Sequence, residues 1–183
     1  ALASRVYKPF DEEFSKTALA AARKSWKWLL ANPYIGFHNP EGSNTGEYDD
    51  EDDTDERMWA SAELLRTDFG YDDTYLTKLT EYVLSDGNKT DFGWTDVSGL
   101  TLLATLFDPE HRAGEQLEQA LTDALFADAD KLLSLIQAGG YRQGMAPEDY
   151  VWGSNMVVCN RSMLLILASL LSGDDKKVIY KEA

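Results

Sequence analysis

Residues 156–171, MVVCNRSMLLILASLL, place twelve apolar side chains in sixteen positions and spread them over every face a helix would have. A helix that is apolar all round is enclosed by other protein. Residues 11–32 behave differently. Asp11 stands where an N-cap belongs, and Phe14, Ala18, Ala21, Ala22 and Leu29 recur at helical spacing. Lys16, Arg23, Lys24 and Lys27 take other positions until Asn32-Pro33 ends the run. One enclosed helix and one with a charged side predict a double layer of inner helices wrapped by outer ones, as in a toroid or solenoid rather than a four-helix bundle.

Further helices are expected over 55–68, closed by Gly70, over 73–84, ended by Ser85-Asp86-Gly87-Asn88, and over 96–107. Pro109 opens another that reaches 138 before Gly139-Gly140, and the apolar helix spans 154–171. Segments 1–7 and 175–183 read as the last turns of one helix and the first turns of another, so both ends of the chain are expected to fall inside helices. No segment shows the clean alternation of a strand, and no linker divides the chain. The fold class is therefore all α, with six to seven helices in inner and outer layers over 1–183.

Composition limits the partners. At 183 residues with 44% apolar side chains the chain can bury a sizeable core. A net charge of -15 with no cluster of Lys or Arg excludes a nucleic-acid partner, because binding phosphates needs clustered cations. The single cysteine, Cys159, allows no internal disulfide and is expected to be a buried, inert thiol of the apolar helix. No segment resembles a signal peptide. The longest apolar stretch is short of a membrane span and contains Asn160 and Arg161, so no membrane partner is expected either.

The strongest local signal is acidic. Eight of the ten residues from Glu47 to Glu56 are Asp or Glu, a density that repels itself unless a cation, a helix end or water takes up the charge. A helix start uses some of it: Asp53 or Thr54 can cap, Glu56 can reach back, and negative charge is favoured there by about 0.3 to 1 kcal/mol per group. A calcium ion would use more, since it takes six to eight hard oxygens. The run is no EF-hand, lacking the central Gly and the Glu at the twelfth position. Among aromatics, Trp26, Trp28 and Trp59 sit at helical spacing and read as core, whereas Trp94, Tyr150 and Trp152 lie beside Gly-rich turns at helix starts, where side chains can face a cleft. Of two glycosylation sequons, at Asn88 and Asn160, the second lies inside the apolar helix and reads as coincidence.

Four stretches carry a resemblance: ASRVYKPFDEEFSKTALAAARKSWKWLLANP, TGEYDD, DERMWASAELL and YVWGSNMVVCNRSML. In this order they resemble the middle of the catalytic domain of family 9 glycoside hydrolases, the cellulases, and more narrowly the subgroup with an immunoglobulin-like domain ahead of it. That resemblance implies an (α/α)6 barrel, of which this chain would supply about half, and inverting hydrolysis of β-1,4-glucan by a secreted enzyme. The remainder of the catalytic domain would then be a packing partner. The family's base aspartates lie in a DAGD-type motif, its acid glutamate in an NE motif, and its substrate histidines in a His-His-Arg motif. None of these is present here, since His38 and His111 are isolated, so no catalytic residue is assigned. Glu148 and Asp149 are the only acids beside a candidate cleft motif, and nothing pairs them with a catalytic role.

The resemblance also implies a calcium site. Its ligands would be Asp55, Glu56 and Asp96, the last from GWTD, with Glu51 and Asp52 as possible further donors. Sugar rings present apolar C–H faces that stack on aromatics and hydroxyls that need polar partners, so Tyr150, Trp152 and Asn155 are the candidate substrate-binding residues, with Arg142 a further hydroxyl partner. Composition and periodicity alone also allow a non-catalytic helical scaffold that binds calcium or a protein through the acidic loop. DAGD and NE motifs elsewhere in the reading frame would decide for the hydrolase.

Overall fold

The computed structural model of the chain describes residues 1–34, 38–47, 50–150 and 152–183; Tyr48 and Asp49 of the acidic run and Val151 of YVWGSN lie outside these. Eight α-helices follow one another: α1 Leu2–Tyr7, α2 Glu12–Ala31, α3 Thr54–Thr67, α4 Thr74–Leu84, α5 Gly99–Leu106, α6 Glu115–Ala138, α7 Ser154–Leu171 and α8 Asp174–Glu182. A 3-10 turn at Pro147–Asp149 precedes α7. Among the described residues there is no strand.

Burial separates the helices into the two expected layers. Outer helices bury one stripe: Tyr75, Leu79 and Val83 on α4, and Leu117, Leu121, Leu125, Ala129, Leu132 and Ile136 on α6, all at spacings of three or four. Inner helices bury several faces, as α3 does with Arg57, Met58, Ser61, Ala62, Glu63, Leu64 and Leu65. Contacts follow the same alternation. α1 packs on α3 and α3 on α5 within one layer, α4 packs on α6 within the other, and neighbours in sequence join the layers.

Several expectations need correction. The helix placed at 96–107 begins at Gly99, because the Asp96 side chain accepts from Ser98 N–H and holds the preceding residues in a turn. The helix expected from Pro109 begins at Glu115, since Asp108 accepts from the N–H groups of Glu110 and Arg112 and organises a turn there instead. The enclosure of α7 is confined to its second half, where Leu164, Leu165, Leu167, Ala168 and Ser169 are buried against α6 and α8. Met156, Ile166 and Leu170 are exposed, and so is Cys159, which is not the core thiol expected. Trp26 is buried and Trp59 packs at the edge of the core, but Trp28 lies on the solvent side of α2 at 53% exposure. By length and hydropathy α7 could cross a membrane, yet its Arg161 is ion-paired and its second half is core.

Candidate functional site

The connections differ in length by side. Segments 32–53, 85–98 and 139–153 lead into α3, α5 and α7, whereas 8–11, 68–73, 107–114 and 172–173 leave α1, α3, α5 and α7. The long loops therefore gather at the N-terminal ends of inner helices, and hydrogen bonds tie them into one rim. Val97 N–H donates to Asp55 Oδ2 at 2.5 Å, joining the start of α3 to the loop before α5. The Asn160 amide donates to Phe92 O, joining that loop to α7.

At the start of α3 the capping box does not form. The Asp53 carboxylate is taken by Arg57, with Nε and Nη2 each at 2.7 Å, and Arg57 also donates to Leu29 O and Asn32 O at the end of α2. Asp52 caps instead, accepting from Thr54 N–H at 3.0 Å and Thr54 Oγ1 at 2.5 Å. Glu56 is left with Oε2 buried and without a partner. Burial first, then a hydrogen bond to the Asp55 carboxyl, pushes the Glu56 pKa up to about 7.

Asp52, Asp55 and Asp96 line one cavity of about 150 Å³ with Asn88 and Tyr82. Asp96 Oδ2 accepts from Asn88 Nδ2 at 2.9 Å and Oδ1 from Ser98 N–H at 2.9 Å. Asp55 and Asp96, two of the three predicted metal residues, are thus neighbours on the rim, while Glu56 follows Asp55 in the chain but lies outside that lining. Among the described residues, however, no three acidic, histidine or cysteine groups are placed to hold one ion.

One aromatic candidate, Trp94, borders a second feature. A groove of about 240 Å³ runs between the 90–94 turn and the first half of α7, lined by Trp94, Asp149, Met156, Asn160, Arg161 and Asp91 among others. Trp94 is 60% exposed. Tyr150 and Trp152 follow Asp149 on the 139–153 loop, outside that lining, with Tyr150 donating its hydroxyl to Gln143 Oε1 at 2.7 Å and Trp152 94% exposed. Asn155, in the first turn of α7, is exposed. Asp149 is no acid–base candidate: its ion pair with Arg161 holds its carboxyl below the usual range. Burial raises the Asp91 carboxyl, and Arg161 opposes that rise. Sequence reasoning passed over Asp91, Asn88, Asn160 and Arg161. The available signal for the last two was a pair of polar residues inside an apolar helix.

Alternating inner and outer helices with aromatic and acidic residues on the rim of inner-helix starts define a partial α/α toroid. The chain belongs to glycosyl hydrolase family 9, whose profile matches residues 1–182. It is 35% identical over 196 residues to a cellodextrinase of Butyrivibrio fibrisolvens, covering all of this chain and 35% of that protein. With endoglucanase D of Acetivibrio thermocellus the identity is 31% over 180 residues, 97% of this chain and 28% of the relative. Among solved structures, a thermostable endoglucanase from Alicyclobacillus acidocaldarius matches with a TM-score of 0.80 at 33% identity, covering 91% of this chain and 31% of that one. The enzyme AaCel9A in complex with cellobiose-like isofagomine matches with a TM-score of 0.83 at 30% identity, covering 98% and 34%. These neighbours are (α/α)6 barrel enzymes. The chain spans about a third of the length of the relatives it matches.

Proposed function

We propose that these 183 residues are part of the catalytic domain of an endo-β-1,4-glucanase that hydrolyses cellulose or a related β-glucan with inversion. The observation that carries this reading is the groove at the rim, lined by Trp94 on one side and on the other by Asp149 of the loop that also bears Tyr150 and Trp152, in a chain of family 9. Apolar ring faces on those side chains suit the C–H faces of glucose units, and Asn155 and Asp91 suit their hydroxyls. Inversion needs a base and an acid roughly 6.5 to 9.5 Å apart to admit a water. Asp149 is neutralised by Arg161, and the DAGD and NE motifs that carry the family's base and acid are absent from these 183 residues, so both roles are placed in the remainder of the domain. That remainder packs on the open side of α7, where Met156, Cys159, Ile166 and Leu170 recur at spacings of three, seven and four. Secretion and an immunoglobulin-like domain ahead of the catalytic one belong to the same reading.

The test compares the 183 residues with the full-length enzyme on carboxymethylcellulose. The full enzyme is expected to release reducing sugar with inverted anomeric configuration, and the 183 residues alone none. Hydrolysis by the short chain would place acid and base within it, and a full enzyme inert on every β-glucan would end the glucanase reading.

Calcium is the second element of the proposal. The residues fit a cation in one specific respect: Glu56 keeps a buried, unpartnered oxygen next to Asp55, a defect that a bound cation removes. Asp55, Glu56 and Asp96 would hold the ion, and it would pin the start of α3 to the loop before α5. Without an ion, Glu56 binds a proton more tightly folded than unfolded. Its contribution to stability is therefore full below the ordinary carboxyl range and is lost as pH rises toward about 7. Calcium binding has the opposite sign, because it needs the carboxylates ionised. Addition of calcium is expected to raise the thermal midpoint more at pH 8 than at pH 5, and Asp96→Ala to abolish the difference. Equal midpoints with calcium and with chelator at pH 8 would leave Glu56 a protonated structural carboxyl.

A further inference from the structure

We infer that Asn160 and Arg161 are positioning residues which set the gap across the groove between the turn that carries Trp94 and the loop that carries Asp149, and with it the register in which a glucan chain lies. The inference rests on the glucanase reading above. In the apolar run 156–171 the non-apolar positions are Asn160, Arg161, Ser162 and Ser169, and two of these stand side by side on the groove floor. Consecutive residues of a helix point about 100° apart, so this pair reaches to two sides at once.

Each reaches a different loop. Asn160 donates its amide to Phe92 O, the carbonyl two residues before Trp94. Arg161 grips the other loop with a fork: Nη2 donates to Asp149 Oδ1 at 2.8 Å, Nη1 to Asp149 Oδ2, and Nη1 also to Gly144 O at 2.7 Å. Tyr150 and Trp152 follow directly on that gripped segment. A planar guanidinium bound at two carboxylate oxygens fixes orientation as well as distance.

Polar side chains on an inner helix are costly unless bonded, and these two direct their bonds to loop backbone and a loop carboxylate. The apolar packing of α7 is carried elsewhere, by Leu164, Leu165, Leu167 and Ala168. Either grip can therefore loosen without releasing the helix. What moves is the Trp94 turn relative to the Asp149 loop.

The test uses the full-length enzyme with cello-oligosaccharides of four to six glucose units. Asn160→Asp keeps size and removes the donor, and Arg161→Lys keeps charge and removes the fork. Each variant is expected to raise KM about tenfold, matching the loss of one or two hydrogen bonds near 1.4 kcal/mol in total. kcat should change far less, product lengths should shift, and the thermal midpoint should stay close to that of the parent. A lowered midpoint with unchanged KM and product lengths in both variants would make the pair purely structural and overturn the inference. Trp94→Ala separates the two readings. If it raises KM while Asn160→Asp and Arg161→Lys do not, the positioning role alone fails. If Trp94→Ala also leaves KM and product lengths unchanged, the groove does not bind glucan and both fail.

Discussion

Leu121→Ala is expected to destabilise the folded enzyme by about 3 to 5 kcal/mol, the upper part of the range for deleting a buried leucine. Leu121 is fully buried in the N-terminal part of the α6 stripe, and α6 braces three other helices at once, packing on α4, α5 and α7. A cavity there cannot close by a shift of one neighbour, because moving α6 toward α4 opens its contacts with α5 and α7. Leu133, on the same helix but only partly buried, offers the comparison, and Leu133→Ala should cost about 1 to 2 kcal/mol. Thermal and denaturant unfolding of the two variants should separate them clearly. Equal small losses would mean that α6 does not carry the junction between the layers.

That stripe was legible in the sequence because leucines at spacings of three and four admit few other arrangements, and the layered all-α fold followed from the contrast between α7 and α2. Helix starts were less legible. A capping residue and a turn residue are chemically the same, so Asp96 and Pro109 were read as starts although both stand in turns, with Ser98 and Gly114 taking the N-cap positions. Burial at the edge of the chain was also beyond reach. Periodicity shows that Cys159 and Trp28 lie on helices but not that the faces they occupy are exposed. At the rim, Asp53 and Glu56 have capping-box spacing, yet Arg57, held by two carbonyls at the end of α2, draws Asp53 away and leaves Glu56 orphaned. Such competition is three-dimensional. The same holds for Asn160 and Arg161, whose partners lie 68 and 12 residues away and which the apolar pattern alone presents as exceptions.

Gly99→Ala is expected to damage stability and substrate binding together, because α5 starts against the turn that carries Trp94. A Cβ at Gly99 would lie 2.6 Å from Asp91 O and 2.6 and 2.7 Å from atoms of the Phe92 ring. The ring could swing aside, but the carbonyl is backbone and is already bound by Gly99 N–H at 2.7 Å. Residues 91–94 must therefore lift from the helix. Lifting them breaks that hydrogen bond, disturbs the Phe92 carbonyl to which Asn160 donates, and moves Trp94 off the groove wall. Overpacking of this kind costs about 1 to 3 kcal/mol, so a lowered thermal midpoint should accompany a KM for cello-oligosaccharides raised by an order of magnitude or more. Gly114→Ala is the control. Gly114 has φ of +81° and ψ of 160°, a conformation that is essentially restricted to glycine, with nothing within 4 Å of an added Cβ, so alanine there meets backbone strain of roughly 1 to 3 kcal/mol and no neighbour. It sits at the start of α6, on a connection away from the groove, and should lower the midpoint while leaving KM unchanged. If Gly99→Ala behaves as Gly114→Ala does, the turn is not held against α5 and Trp94 owes its place to other contacts.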